Sequence, residues 1–258
     1  MAVMMSHGAT AAETVLLHAA GSLRGALTDV ATAFEAQTGN KVQAKYGASG
    51  LLKDEIAGGA NAGVFASANM EHPQALTKAG KSGPVVLFAR NKLCALVRPG
   101  TNVTSATLLE RMLDPAIRVG TSTPRADPSG DYAFEVFGKA EKIKPGSKTV
   151  LEAKALQLTG GPTSAAPPAG RSVYGWHVAE GRADIFLAYC TATTTALKEN
   201  PGQQQITLPE ELAVGADYGL TVINGSPPAT YALAMFILSG DGQRILDRHG
   251  FSAPGLTR

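Results

Sequence analysis

The chain has 258 residues, 44% of them hydrophobic and only 6% aromatic, enough apolar material for a real core in one large domain or two of ordinary size. Its net charge of +2 and its lack of any dense basic run exclude a nucleic-acid or membrane-surface footprint. No stretch approaches the roughly 20 apolar residues of a membrane span.

Residues 1–12 stand apart from the fold. Ala9-Thr10-Ala11 before Ala12 resembles the small-residue cleavage site of a secretory signal, yet neither a basic region nor an apolar segment precedes it. The stretch is read as the remnant of a trimmed signal, which places the protein in the periplasm, or as a disordered N-terminus. The first ordered unit runs from Val15 to Phe34. Val15-Leu16-Leu17 reads as a buried strand, Ala19-Ala20-Gly21 as a turn too small to extend it, and Leu23, Ala26, Leu27, Val30, Ala31 and Phe34 as one face of an amphipathic helix. Ser22 is thereby expected as the N-cap. A helix start leaves N–H groups unpaired and carries partial positive charge, so a hydroxyl beside it makes an anion site that needs no cation.

The pattern recurs. Thr38-Gly39-Asn40 stops the helix, Lys41 to Tyr46 alternates as a half-exposed strand, and Gly47-Ala48-Ser49-Gly50 leads into a second helix. Val64 to Ala68 is a third strand, turning at Asn69 to Pro73 into another helix. Three βα units in a row predict a parallel sheet flanked by helices. Val85–Ala89 and Leu93–Val97 then read as two strands separated by Arg90-Asn91-Lys92. A short helix over 107–113 and a strand over 118–121 follow. The loop Ser122 to Gly130, with Asp131 as the expected cap, opens a helix carrying Tyr132, Val136, Phe137 and Ala140.

Gly160 to Gly170, rich in Pro, Ala, Ser and Gly, reads as a flexible surface loop, with a helix start at Ser172-Val173 behind it. Asp184 to Tyr189 is a buried strand ending in tyrosine, Leu220 to Ile223 another, and Ala229–Leu238 and Gly240–His249 form a closing helix pair. Cys94 and Cys190 are the only cysteines. They lack metal-ligand spacing and are read as buried free thiols, with a disulfide in an oxidising compartment as the alternative. His18, His72, His177 and His249 are scattered without ligand spacing, so no metal or cofactor is expected.

Taken together, Ala19-Ala20-Gly21-Ser22-Leu23, Gly47-Ala48-Ser49-Gly50, Val64 to Ala68, Asp127 to Ala133, the strand ending at Tyr189 and the tail Ser239 to Phe251 resemble the periplasmic molybdate-binding proteins of bacterial ABC importers. The likeness covers nearly the whole chain. It implies a two-lobed α/β periplasmic-binding-protein fold, each lobe a mixed, mostly parallel sheet flanked by helices, joined by a hinge of two crossings. Lobe one would comprise residues 13–89 and 208–258, and lobe two residues 90–207. It further implies that the protein is a monomer performing no catalysis, which captures molybdate or tungstate between the lobes and delivers it to a membrane permease. By the same resemblance Ser22 and Ser49 would bind the oxyanion from lobe one. Ser129, Ser172 or Val173 and the Tyr189 hydroxyl would bind it from lobe two. The chain departs from the family in carrying Gly63 where an Asp is common, in the long Gly160–Gly170 segment and in Tyr189-Cys190. These departures leave sulfate, thiosulfate or phosphate as alternative ligands.

The chemistry agrees with that expectation. A tetrahedral dianion accepts roughly seven or eight hydrogen bonds, which hydroxyls and backbone N–H groups supply without a counter-ion. Size then selects, because a smaller anion leaves some donors unpaired. Arg24 and Arg125 are secondary candidates for contact. A hydrolase elbow at Gly47 to Gly50 fails for want of a glycine at position 51, where the chain has Leu51, and no Asp and His complete a triad.

Overall fold

The computed structural model describes residues 12–252 and 254; the signal reading, over residues 1–12, lies outside the described residues except for Ala12. The first unit comprises β1 (Thr14–Ala20), α1 (Arg24–Thr38), β2 (Lys41–Gly47), α2 (Ser49–Ala57), β3 (Val64–Ser67) and α3 (Glu71–Lys78). β1 lies parallel between β2 and β3. β1 runs further than the sequence suggests: Ala19 and Ala20 pair with Tyr46 and Gly47, since small side chains are no obstacle in a strand covered on both faces. Gly21–Leu23 then forms a single 3₁₀ turn, and Leu23 precedes α1 with no side-chain cap. Ser22 is therefore not the N-cap, and its hydroxyl is left for another partner. α1 buries Leu23, Ala26, Leu27, Val30 and Phe34 on the expected face, with Ala31 at its partly exposed edge, and ends at Gly39.

A Cβ placed on Gly63 would stand 2.7 Å from the Leu16 carbonyl oxygen and 3.0 Å from Thr230 Cγ2. The absence of a side chain before β3 is thus a packing requirement of this chain.

The chain continues with β4 (Val86–Val97), α4 (Leu108–Leu113), β5 (Val119–Ser122), α5 (Pro128–Ile143), α6 (Ser147–Lys154), β6 (Leu156–Thr159), α7 (Val173–Ala179), β7 (Ile185–Tyr189), α8 (Cys190–Glu199), β8 (Gln204–Thr207), β9 (Gly215–Val222), α9 (Pro228–Leu238) and α10 (Gly240–Arg248). The strands form one sheet in the order β2-β1-β3-β9-β4-β7-β5-β6, with β8 paired to β4. The fold is α/β, with a parallel block at each end of the sheet and antiparallel β9 and β4 between them.

β4 is one strand where two were expected. Arg90, Asn91 and Lys92 do not break it, because they pair with Asp217, Ala216 and Gly215 of β9. From Leu93 the same strand exchanges β9 for β7 and β8. The polar triplet marks the place where β4 passes from one half of the sheet to the other.

The pairing of Leu93 with Tyr189 and Cys94 with Ala188 also corrects the cysteine reading. Cys94 and Cys190 form a disulfide, with Cα atoms 4.9 Å apart across 96 residues of sequence. Asp127, rather than Asp131, caps α5 by accepting from Ser129 N at 3.1 Å, with Pro128 in the first turn. α6, β6 and α8 carry no clear sequence signal. α8 reads CTATTTALKE, whose threonines favour strands, and it is held helical by packing against β4, β7 and β8.

Candidate anion-binding cleft

The junctions at the C-terminal ends of β1, β2 and β7 converge on one cleft of about 1070 Å³. Residues between 20 and 29 and between 46 and 51 line it from the first half, and residues between 159 and 174 and between 189 and 199 from the second. Ser22, Ser49, Ser172, Val173 and Tyr189 all lie in this lining.

Each donor has a distinct local setting. Ser22 sits in the 3₁₀ turn, with Oγ 3.0 Å from the Tyr218 hydroxyl. Ser49 is the first residue of α2 and is buried; its Oγ accepts from Ala68 N at 3.1 Å, which leaves its own proton free to donate. Tyr189 closes β7, and its hydroxyl is buried with no partner among the described residues. Burial, with Tyr218 and Asp127 nearby, pushes that hydroxyl well above its usual titration range, so it stays protonated and able to donate. An unpaired buried hydroxyl costs free energy that a ligand oxygen would recover.

The remaining expected donors divide. Ser172 caps α7 through Gly175 N at 3.3 Å, and its own N–H is already given to the Glu199 carboxylate at 2.8 Å. Val173, next in line, has no acceptor for its N–H within the helix. Ser129 is outside the cleft lining; its N–H serves Asp127, and its side chain is fully buried. Arg24 lines the cleft with its guanidinium 4.7 Å from the centre of the Tyr46 ring. Arg125 stays exposed outside the lining, its backbone at φ 66° and its N–H given to Asp131.

Sequence reasoning missed several groups. Tyr218 lies under the site, 5.6 Å from Tyr189 between ring centres, and comes from β9, almost 200 residues from Ser22. Asp127 was read as part of a loop, yet it faces the cleft, and burial pushes its carboxyl up to about 6. The Asp127-Pro128-Ser129 triplet carries the signature of a helix cap followed by proline in the first turn. His249, from the C-terminal end of α10, pairs with Asp29 at 2.7 Å on the rim. Among the described residues no group of three or more His, Cys, Asp or Glu comes together to hold a metal.

Residues 15–252 match the model of a family described as bacterial extracellular solute-binding protein. Uncharacterized protein PM1146 of Pasteurella multocida is 34% identical over 234 residues, covering 90% of this chain and 96% of that one. Among solved structures, the periplasmic molybdate-binding protein of Azotobacter vinelandii superposes with a TM-score of 0.74 at 20% identity, over 93% of this chain and 99% of that one. The sulfate-binding protein SubI of Mycobacterium tuberculosis does so at 0.77 and 20% identity, over 94% and 87%. At such identities these two structures speak for the fold.

Proposed function

Because the chain belongs to the bacterial extracellular solute-binding protein family, we propose that it captures a tetrahedral oxyanion in its cleft and delivers it to the permease of an ABC importer. The observation that carries this reading is the convergence of the Ser22, Ser49 and Tyr189 hydroxyls on one cleft from three separate strand ends. Among the described residues, the Tyr189 hydroxyl is buried without a partner, and Ser49 Oγ accepts from Ala68 N with its own proton left to donate. Such neutral donors bind a dianion without a buried counter-ion and release it without a large change in local charge. Residues 13–89 with 208–258, and residues 90–207, would move as two lobes about Lys92-Leu93 and the β8–β9 connection, closing on the ligand and presenting the closed form to the permease.

Molybdate and tungstate are the bare ions the sequence resemblance favours, and the likeness to the Azotobacter vinelandii protein supports them. The likeness to SubI keeps sulfate as the second reading. A periplasmic setting accords with the Cys94–Cys190 disulfide, a bond that persists in oxidising compartments. The test is calorimetric titration with molybdate, tungstate, sulfate and phosphate, repeated on Ser22→Ala and Ser49→Ala. One-to-one binding of at least one ion that weakens in both variants is expected. Binding indifferent to both changes, or no heat with any of the four, overturns the proposal.

A further inference from the structure

The two halves of the cleft already touch at one rim. Gly50 N, in the first turn of α2, donates to the Ala126 carbonyl at 2.8 Å, and a Cβ on Gly50 would stand 2.7 Å from that same oxygen. No closer approach is open at this edge. Away from this rim the cleft stays partly open to solvent, and it holds about 1070 Å³. A tetrahedral oxyanion, counted as four water-sized oxygens, occupies on the order of 100 Å³. The space matches the upper end of the roughly 300–1,000 Å³ that accommodates organic small molecules.

The walls of the surplus volume have a definite chemistry. Ala165, Ala166, Pro167 and Pro168, from the segment by which the chain departs from the family it resembles, line it without side-chain donors. Arg24 lines the same cleft, stacked over Tyr46, and no carboxylate pairs with it among the described residues. A bare ion held by Ser22, Ser49 and Tyr189 would leave this apolar wall and this cation wet and unused. Resting on the oxyanion reading above, we infer that the physiological ligand is an organo-oxyanion: a tetrahedral oxyanion head carrying a short organic substituent that packs on residues 165–168 and ends in a carboxylate or other polar group that meets Arg24.

Displacement calorimetry with inorganic phosphate, ethyl phosphate and phosphoglycolate, alongside sulfate and sulfoacetate, tests this. Phosphoglycolate or sulfoacetate is expected to bind at least tenfold tighter than its inorganic parent, and which pair shows the gain identifies the head atom. Arg24→Gln should shrink the advantage of phosphoglycolate over ethyl phosphate, and Ala166→Trp should erase the advantage of substituted over bare ions. Bare ions that bind as tightly as every substituted one, with Ser22→Ala still weakening them, would overturn this inference and leave the oxyanion reading standing. Failure of all five probes would overturn this inference, and the oxyanion reading falls with it only when molybdate and tungstate are silent as well.

Discussion

The Ser22 hydroxyl lies 3.0 Å from that of Tyr218, joining residues 196 apart in sequence and tying the turn after β1 to strand β9. When Tyr218 donates to Ser22, the serine proton is free for a ligand. Ser22→Ala and Ser49→Ala are each expected to cost about 1–3 kcal/mol of anion affinity, the range for a hydrogen bond to a charged group. Tyr218→Phe, which removes only the orienting partner, should cost less than either in the same titration.

Tyr189 separates binding from folding. Its hydroxyl is buried with no partner among the described residues, so Tyr189→Phe removes a desolvated group that makes no hydrogen bond within the fold. Thermal unfolding without ligand should show a Tm equal to or above that of the parent, while anion affinity falls. A variant that loses apo stability and keeps its affinity would remove Tyr189 from the donor set.

The disulfide should matter more to stability than to the site. It closes a loop of 96 residues, for which chain entropy alone gives about 4–5 kcal/mol. Cys94→Ser with Cys190→Ser, or reduction of the parent, is expected to lower the free energy of unfolding measured in denaturant by an amount of this order, and the midpoint with it. An unchanged midpoint would mean that the two halves of β4 and the start of α8 are held by packing alone.

Asp127 gives a pH dependence with a definite sign. Burial raises its folded-state carboxyl to about 6, whereas in the unfolded chain it titrates near 4. Between about pH 4 and 6 the folded state therefore holds more protons. The contribution of this group to stability falls as pH rises through that window, and the loss persists above it. Asp127→Asn keeps a capping side chain for α5 and should flatten the change in Tm between pH 4.5 and 7. An identical pH profile in the variant would count against the buried carboxyl.

Gly50 is predicted to tolerate no side chain. Gly50→Ala brings a methyl against the Arg125 and Ala126 carbonyls and should hold the halves apart. The expected readouts are a larger radius of gyration in small-angle scattering with saturating ligand and an affinity reduced more than tenfold. Parent-like values for both would show that the rim gives way.

The alternation of small-residue turns with amphipathic helices was enough, by itself, to establish the parallel βα units, the serines after β1 and β2, and the tyrosine at the end of β7. Each of these rests on local spacing, and local spacing is what a sequence displays. Tertiary structure decided the rest. Only the pairing of Arg90, Asn91 and Lys92 with β9 turns an apparent break into a continuous strand between the halves. Only the register of β4 against β7 brings Cys94 to Cys190. Tyr218 supports Ser22 from a distant strand, and Ser129, which the family resemblance placed among the donors, is not in the cleft lining and gives its N–H to Asp127. Hydrogen bonds and burial between residues far apart depend on where the sheet carries them, and no short stretch of sequence contains that information.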